Sequence, residues 1–286
     1  MNPILTLLTI WRRRYLWWRV EHEGAPALQP VTVITGGSEG IGLALAREFA
    51  RLGQPLLLVA RSADALASAK NTLAAERGIE VLTVAADLTQ QAGVAAVLAA
   101  LAARNATCDV LINNAGIGLS GPFEHHDGRG LARLVNLNVA AVTLLMHAVL
   151  PGMLARGRGG ILNVASLGGL APGPWQAAYY ASKAYVVSLT EAVAWETRGL
   201  GVRIAVLLPG PVVTQFHHRM GADSAYYLSL LWPLRPECIA RAAWRGFRYG
   251  GVRIVPGVVS KVLCVALWLV PNMVLVPIVG WLLKQR

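Results

Sequence analysis

The sequence predicts a three-layer α/β fold built on a doubly wound parallel sheet, and three observations point there. Short apolar runs alternate with segments of helical length from residue 31 onward. Those runs lack the polar–apolar alternation of a half-exposed sheet, so both faces of each strand are covered. A glycine-rich loop stands between the first run and the first helical segment, where a parallel sheet turns into its first helix.

Each element follows from its residues. The runs 31–35, 55–60, 81–86, 110–115, 161–166 and 202–209 read as buried strands, and 43–52, 63–76 and 93–103 carry helical patterns. Ser62 and Asp64 suit the cap and first turn of the helix they open. The first strand runs into Thr35-Gly36-Gly37-Ser38-Glu39-Gly40-Ile41-Gly42. Gly36 permits the tight turn, Gly40 lets backbone approach a pyrophosphate, and Gly42 lets helix and strand pack closely. The helix N-terminus then offers amides to the phosphates, the arrangement of a Rossmann-type doubly wound parallel sheet.

The second strand selects the cofactor. An NAD site places a carboxylate there for the ribose hydroxyl, but Ala60 stands at that position and Arg61 follows. Arg61 suits a 2′-phosphate and Ser38 can donate to it, so the expected cofactor is NADP (as NADPH) rather than NAD. Glu39 is discordant, an acid where a phosphate passes.

With 286 residues, 55% of them apolar and 14% charged, the chain is neither disordered nor a coiled coil. Its mean hydropathy of +0.50 is high for a water-soluble enzyme. The net charge of +11 is unevenly spread. Residues 217–286 hold nine Arg or Lys against two acids, whereas 25–216 hold 13 against 11. A near-neutral centre with basic, apolar ends reads as a membrane interface and excludes nucleic acid as the partner. Cys108, Cys238 and Cys264 are far apart and suit neither a disulfide frame nor a metal site.

The organisation expected is a basic, aromatic extension (1–29), one NADP-binding domain (30–257) and an apolar C-terminal segment (258–286). The first carries Trp11, Trp17 and Trp18 among Arg12–Arg14 and Arg19. The last contains 22 uncharged residues, 262–283, enough to cross a bilayer. Pro271 and Pro277 argue against one straight helix, so two short helices hinged near Pro271-Asn272 are expected, in peripheral or monotopic attachment to the cytoplasmic face of a membrane. Packing into an oligomer of a soluble protein is the alternative.

Tyr179 and Lys183 are spaced to share one helix face, where a cation lowers the phenol's pKa toward the working range. Tyr180 competes, but its partner four residues on is Ala184. Ser166 lies 13 residues before Tyr179, at the carboxyl end of the fifth strand, where open α/β sheets place their chemistry.

These residues, together with the TGGSEGIG loop, Asp87-Leu88, Asn113-Asn114-Ala115-Gly116, Asn138 and Pro209-Gly210-Pro211-Val212-Val213-Thr214, resemble the short-chain dehydrogenase/reductase family over about residues 30–255. The resemblance implies that Tyr179 is the general acid of carbonyl reduction and the base of alcohol oxidation. It implies that Ser166 holds the substrate oxygen and that Lys183 binds the nicotinamide ribose. Asn138, rather than Asn136, would hold a water of the proton relay. Asp87 and Leu88 would flank the adenine, Asn114, Ala115 and Gly116 the ribose side, and Pro209, Gly210, Val212 and Thr214 the nicotinamide. Homodimers or homotetramers are frequent in the family.

The stretch after Thr214 is expected to cover the substrate. Phe216, Tyr226, Tyr227, Leu228, Leu230, Leu231 and Trp232 make it apolar, as suits a small lipophilic carbonyl or alcohol. His217 and His218, like His125 and His126, read as exposed loop residues, not metal ligands. The function expected is hydride transfer between NADP(H) and a carbonyl or alcohol group. The alternative is a membrane-attached NADP-binding scaffold or redox sensor with little turnover.

Overall fold

The structure, a computed structural model, describes residues 28–222 and 233–284. The reading of the N-terminal extension and the lid residues Tyr226 to Trp232 therefore lie outside the described residues. Seven strands form one sheet, parallel throughout, in the order β3-β2-β1-β4-β5-β6-β7. They are β1 (Gln29–Thr35), β2 (Leu56–Ala60), β3 (Val81–Ala85), β4 (Ala106–Asn113), β5 (Gly159–Val164), β6 (Val202–Leu207) and β7 (Arg253–Ile254). The order reverses beside β1, and ligand sites of open parallel sheets lie at that switch, beyond the carboxyl ends of the strands.

Strand periodicity sorts the apolar runs into two cores. Val33, Leu57, Val59, Leu111, Ile161 and Val206 face one side, against α3 (Gln91–Ala102), α5 (Val142–Ala155) and α6 (Ala177–Glu196). Ile34, Leu56, Leu58, Ile112, Leu162 and Leu207 face the other, against α1 (Gly40–Phe49), α2 (Ala63–Arg77) and α8 (Pro236–Arg248). The result is three layers, as the unbroken apolar strands require. Ser62 caps α2 by accepting from the Ala65 amide at 3.2 Å, with Asp64 in the first turn.

Sequence reasoning missed β7, whose two residues are too short a signal to read. It also started β4 four residues late. Polar Asp109 interrupts that run but is buried, accepting from Arg158 at 3.0 Å and Gln54 at 3.3 Å. Between α4 (Gly128–Val135) and α5 the helix widens into a π-turn over Asn136–Ala141.

The C-terminal segment forms α9 (Val258–Leu269) and α10 (Asn272–Leu283), with the break at Val270-Pro271. Pro277, also expected to interrupt, lies within α10. It is exposed, so its missing hydrogen bond falls on the outer side of the helix. Neither helix stands apart from the rest of the fold. Leu263 and Cys264 pack against the first core, while Leu275, Val279 and Leu283 are buried against Ala171 and Tyr180.

Candidate active site

The phosphate end is a backbone construction. β1 stops at Thr35, and Gly36 turns at φ +63°, with its amide donating to the Val59 carbonyl at 2.7 Å. At Gly42 a Cβ would stand 2.0 Å from the Gly36 carbonyl oxygen, so no larger residue fits without moving the loop. The Asn114 side-chain amide donates to the carbonyls of Thr35 and Gly36 at 3.0 and 3.1 Å, and the Thr35 hydroxyl accepts from the amides of Asn114 and Ala115. Asn114 thus fastens the glycine loop to the end of β4. The N-terminus of α1 then faces the cleft with Ser38, Gly40 and Ile41.

At the adenosine end Arg61 follows the last residue of β2 and Asp87 follows β3 by two residues. The Thr89 backbone amide, 3.0 Å from Asp87 Oδ1, holds that carboxyl below its usual range, and the nearby cations Arg61 and Arg133 add to the effect. Arg133, on α4, lines the same end of the cleft and was not singled out from the sequence. Glu39 proves to be paired. Arg219 grips both of its oxygens, Nη2 reaching Oε2 at 2.8 Å, and that hydrogen bond is the main reason the Glu39 carboxyl sits below its ordinary range. The 180 residues between the partners hid this from sequence reasoning.

The reacting end lies where β5 gives way to a 3₁₀ turn, Leu167–Leu170. Ser166 caps that turn by accepting from the Gly168 amide at 3.0 Å, and it shares a hydrogen bond with Tyr179. Tyr179 and Lys183 are both buried on α6, one turn apart. Lys183 Nζ lies 5.8 Å from the centroid of the Tyr179 ring and donates to the Val164 carbonyl at 3.0 Å.

Here the electrostatics differ from the expectation that Lys183 brings the phenol toward neutrality. Burial pushes Tyr179 up to about 12, opposed by the hydrogen bond with Ser166, and burial pulls Lys183 down to about 8. Desolvation disfavours both charged forms and outweighs their attraction across the ring. The competitor, Tyr180, packs against Gly168, Gly173 and the α10 cluster.

Asn138 is the one predicted site residue that does not line the cleft. It is 1% exposed on the π-turn, its oxygen accepts from the Ile117 amide at 3.0 Å, and its nitrogen donates to the Ile117 carbonyl and the Ser182 hydroxyl. Its side chain is a brace, since these bonds engage both ends of the amide. A Cβ at Gly116 would lie 3.2 Å from its oxygen and 3.4 Å from Lys183 Nζ, so the brace and the lysine meet beneath Gly116.

Every other residue predicted as catalytic or cofactor-binding borders one cleft of about 1300 Å³, including Gly36, Leu88, Ala115, Pro209, Gly210, Val212 and Thr214. The Thr214 methyl would touch a Cβ on Gly40 at 3.4 Å, so the two ends of the cofactor path close on each other. From α7 (Phe216–Arg219), Phe216 stacks near Tyr179 with ring centroids 5.5 Å apart. His217, expected in an exposed loop, is half-buried on α7 and borders the cleft; His218 is exposed. The remaining wall is apolar, from Leu263 and Leu267 of α9 and Val279, Leu282 and Leu283 of α10. The volume exceeds the 300–1,000 Å³ usual for one small ligand and suits a dinucleotide beside a substrate.

The short chain dehydrogenase family model matches residues 30–225. Gluconate 5-dehydrogenase of Gluconobacter oxydans is 37% identical over 71% of this chain and 77% of that protein. The very-long-chain 3-oxoacyl-CoA reductase of Bos taurus is 32% identical over 69% of this chain and 65% of its own length. Among solved structures, a short-chain dehydrogenase from Sphingobium yanoikuyae in complex with NADPH gives a TM-score of 0.73 at 35% identity, covering 80% of this chain and 88% of that one.

Proposed function

The chain belongs to the short-chain dehydrogenase/reductase family, and from that premise we propose that it is an NADPH-dependent reductase of a lipophilic carbonyl compound at a membrane surface. The observation that carries the reading is the placing of half-buried Ser166 with buried Tyr179 and Lys183 in a cleft whose free wall is aliphatic. NADP fits the residues present. The glycine loop leaves backbone room for a pyrophosphate, and the end of β2 offers Arg61 and Ser62 in place of a carboxylate. Arg61 and Ser38 would hold the 2′-phosphate and Lys183 the nicotinamide ribose.

When bound, NADPH supplies the hydride. As negative charge grows on the substrate oxygen, the hydroxyls of Ser166 and Tyr179 stabilise it. Tyr179 then passes its proton to that oxygen, completing the alcohol. Burial pushes its pKa up, so the proton it donates in reduction is in place at neutral pH. Ser166 is held ready by the Gly168 amide, and Asn138 positions the Ile117 backbone, in the loop after β4 that lines the cleft. Attachment is peripheral or monotopic, at the cytoplasmic face, through the apolar C-terminal helices. The test is NADPH oxidation across a panel running from short soluble ketones to 3-oxoacyl thioesters and keto-steroids. Turnover is expected to rise with apolar size; equal kcat/KM for NADPH and NADH would overturn the cofactor assignment.

A further inference from the structure

Helices α9 and α10 are apolar on two opposite sides. Their inner stripes, Leu263 and Leu267 with Val279, Leu282 and Leu283, line the catalytic cleft. Their outer stripes carry Val262, Val265, Trp268, Met273, Ile278 and Trp281, all exposed, with Trp268 at 80% and Met273 at 85%. A surface helix facing water carries polar residues on its outer face, and a helix apolar all round faces protein or lipid. The exposure is greatest at the two ends flanking the Pro271 bend.

We propose that this pair of helices is a two-faced wall seated in one leaflet of an anionic bilayer, and that the substrate is an amphiphile whose hydrocarbon chain passes from the lipid between α9 and α10 into the cleft. The proposal rests on the reductase reading of that cleft. Each helix has 12 residues, about 18 Å at 1.5 Å per residue and short of the ~20 residues a span requires, so the pair dips and does not cross. Its charged side chains are Lys261 and Lys284, both exposed and both cationic, and Trp268 and Trp281 suit the headgroup boundary. These two cations, with no acid on either helix, complement anionic lipid and oppose the same face of a second copy. The wall is also coupled to the chemistry. Trp175 Nε1 donates to the Gly280 carbonyl at 3.0 Å, tying α10 to the loop that follows the turn capped by Ser166. A carbonyl near the polar end of an amphiphile would then reach Ser166 and Tyr179 without its chain meeting water.

The test uses the full chain and a variant carrying Trp268→Ser, Met273→Ser and Trp281→Ser, positions outside the cleft lining. Flotation with phosphatidylcholine vesicles, with and without phosphatidylserine, reads membrane seating. NADPH oxidation is measured with a short water-soluble ketone and with a long-chain 3-oxo ester carried in the vesicles. The wild-type chain is expected to float only with the anionic vesicles. The variant is expected to lose flotation and roughly tenfold or more of its turnover on the vesicle-borne ester, with kcat/KM on the soluble ketone within about twofold of wild type. Unchanged turnover on the ester despite lost flotation would overturn the entry route and leave an anchor. A wild-type chain that stays off anionic vesicles, and whose dimer the variant dissociates in sedimentation, would overturn lipid as the occupant. Absence of turnover on either substrate, with flotation intact, would overturn the reductase reading and the entry route together while leaving the lipid contact standing.

Discussion

Lys183 holds its ammonium group below the floor of the cleft, where burial pulls its pKa from 10.5 down to about 8. The unfolded chain therefore binds the proton more tightly than the folded one between those values, so stability rises with pH across that window. Below about pH 8 the burial costs on the order of 3 kcal/mol. Lys183→Met is expected to raise Tm at pH 7, with the gain shrinking toward pH 10, as melting curves across that range would show, while turnover falls. Tyr179 shifts the other way: with its pKa near 12 the protonated phenol is the form present at neutral pH and the phenolate that oxidation needs is scarce. Carbonyl reduction is expected to be flat through neutral pH and alcohol oxidation to climb with alkalinity, measured as kcat in each direction. Tyr179→Phe should lower kcat by about 10²–10⁴ while the Kd for NADPH, read by fluorescence titration, stays put. The roles of Tyr179 and Lys183 are those the family resemblance implies; their shared face was legible from spacing, because i and i+4 share a face on any helix. The sign of the Tyr179 shift was not, because burial depends on what closes over the ring, here Phe216 and the body of α6.

Among the elements, the glycine loop with α1 is the least tolerant of change. A methyl at residue 42 meets the Gly36 carbonyl at 2.0 Å, so Gly42→Ala is expected to cost about 1–3 kcal/mol in chemical denaturation and to weaken NADPH binding, since the loop must move. The link between α1 and α7 acts differently. The Glu39–Arg219 pair is half exposed and adds at most about 1 kcal/mol to stability. Arg219→Gln, however, frees a carboxylate beside the phosphate path, so KM for NADPH is expected to rise several-fold at low salt and less at high salt, with Tm unchanged. Strands β1, β2, β5 and β6 could be read because burial on both faces leaves the runs mostly apolar, with Thr32, Asn163 and Arg203 among the buried polar exceptions. The π-turn at Asn138 could not, because Asn-Leu-Asn-Val reads as ordinary helix and the widening answers to Ile117 and Ser182 from other elements. The bend at Pro271 was visible in the sequence; the packing of α9 and α10 on the cleft was not, since an apolar stripe does not say which apolar surface it meets.

At the scale of the whole molecule, one cleft runs from the switch beside β1 to the C-terminal helices and gathers residues from both sides of the sheet. A ligand filling it bridges β2, β4, β5, α6 and α7 at once. Saturation with NADPH at 100 times its Kd is worth about 2.7 kcal/mol, expected to raise Tm by roughly 5–10 °C in a thermal-shift assay. NADH should give a smaller shift if Arg61 selects the 2′-phosphate. Helices α9 and α10 roof the substrate side of this cleft. That has a practical edge for anyone wishing to express the protein. Cutting the chain before Val258 looks like a simple way to remove a sticky tail and improve yield. It would strip the cover from Leu167, Ala171 and Tyr180, lay the substrate side open to water, and deliver a more tractable protein whose poor activity would be mistaken for the enzyme's own.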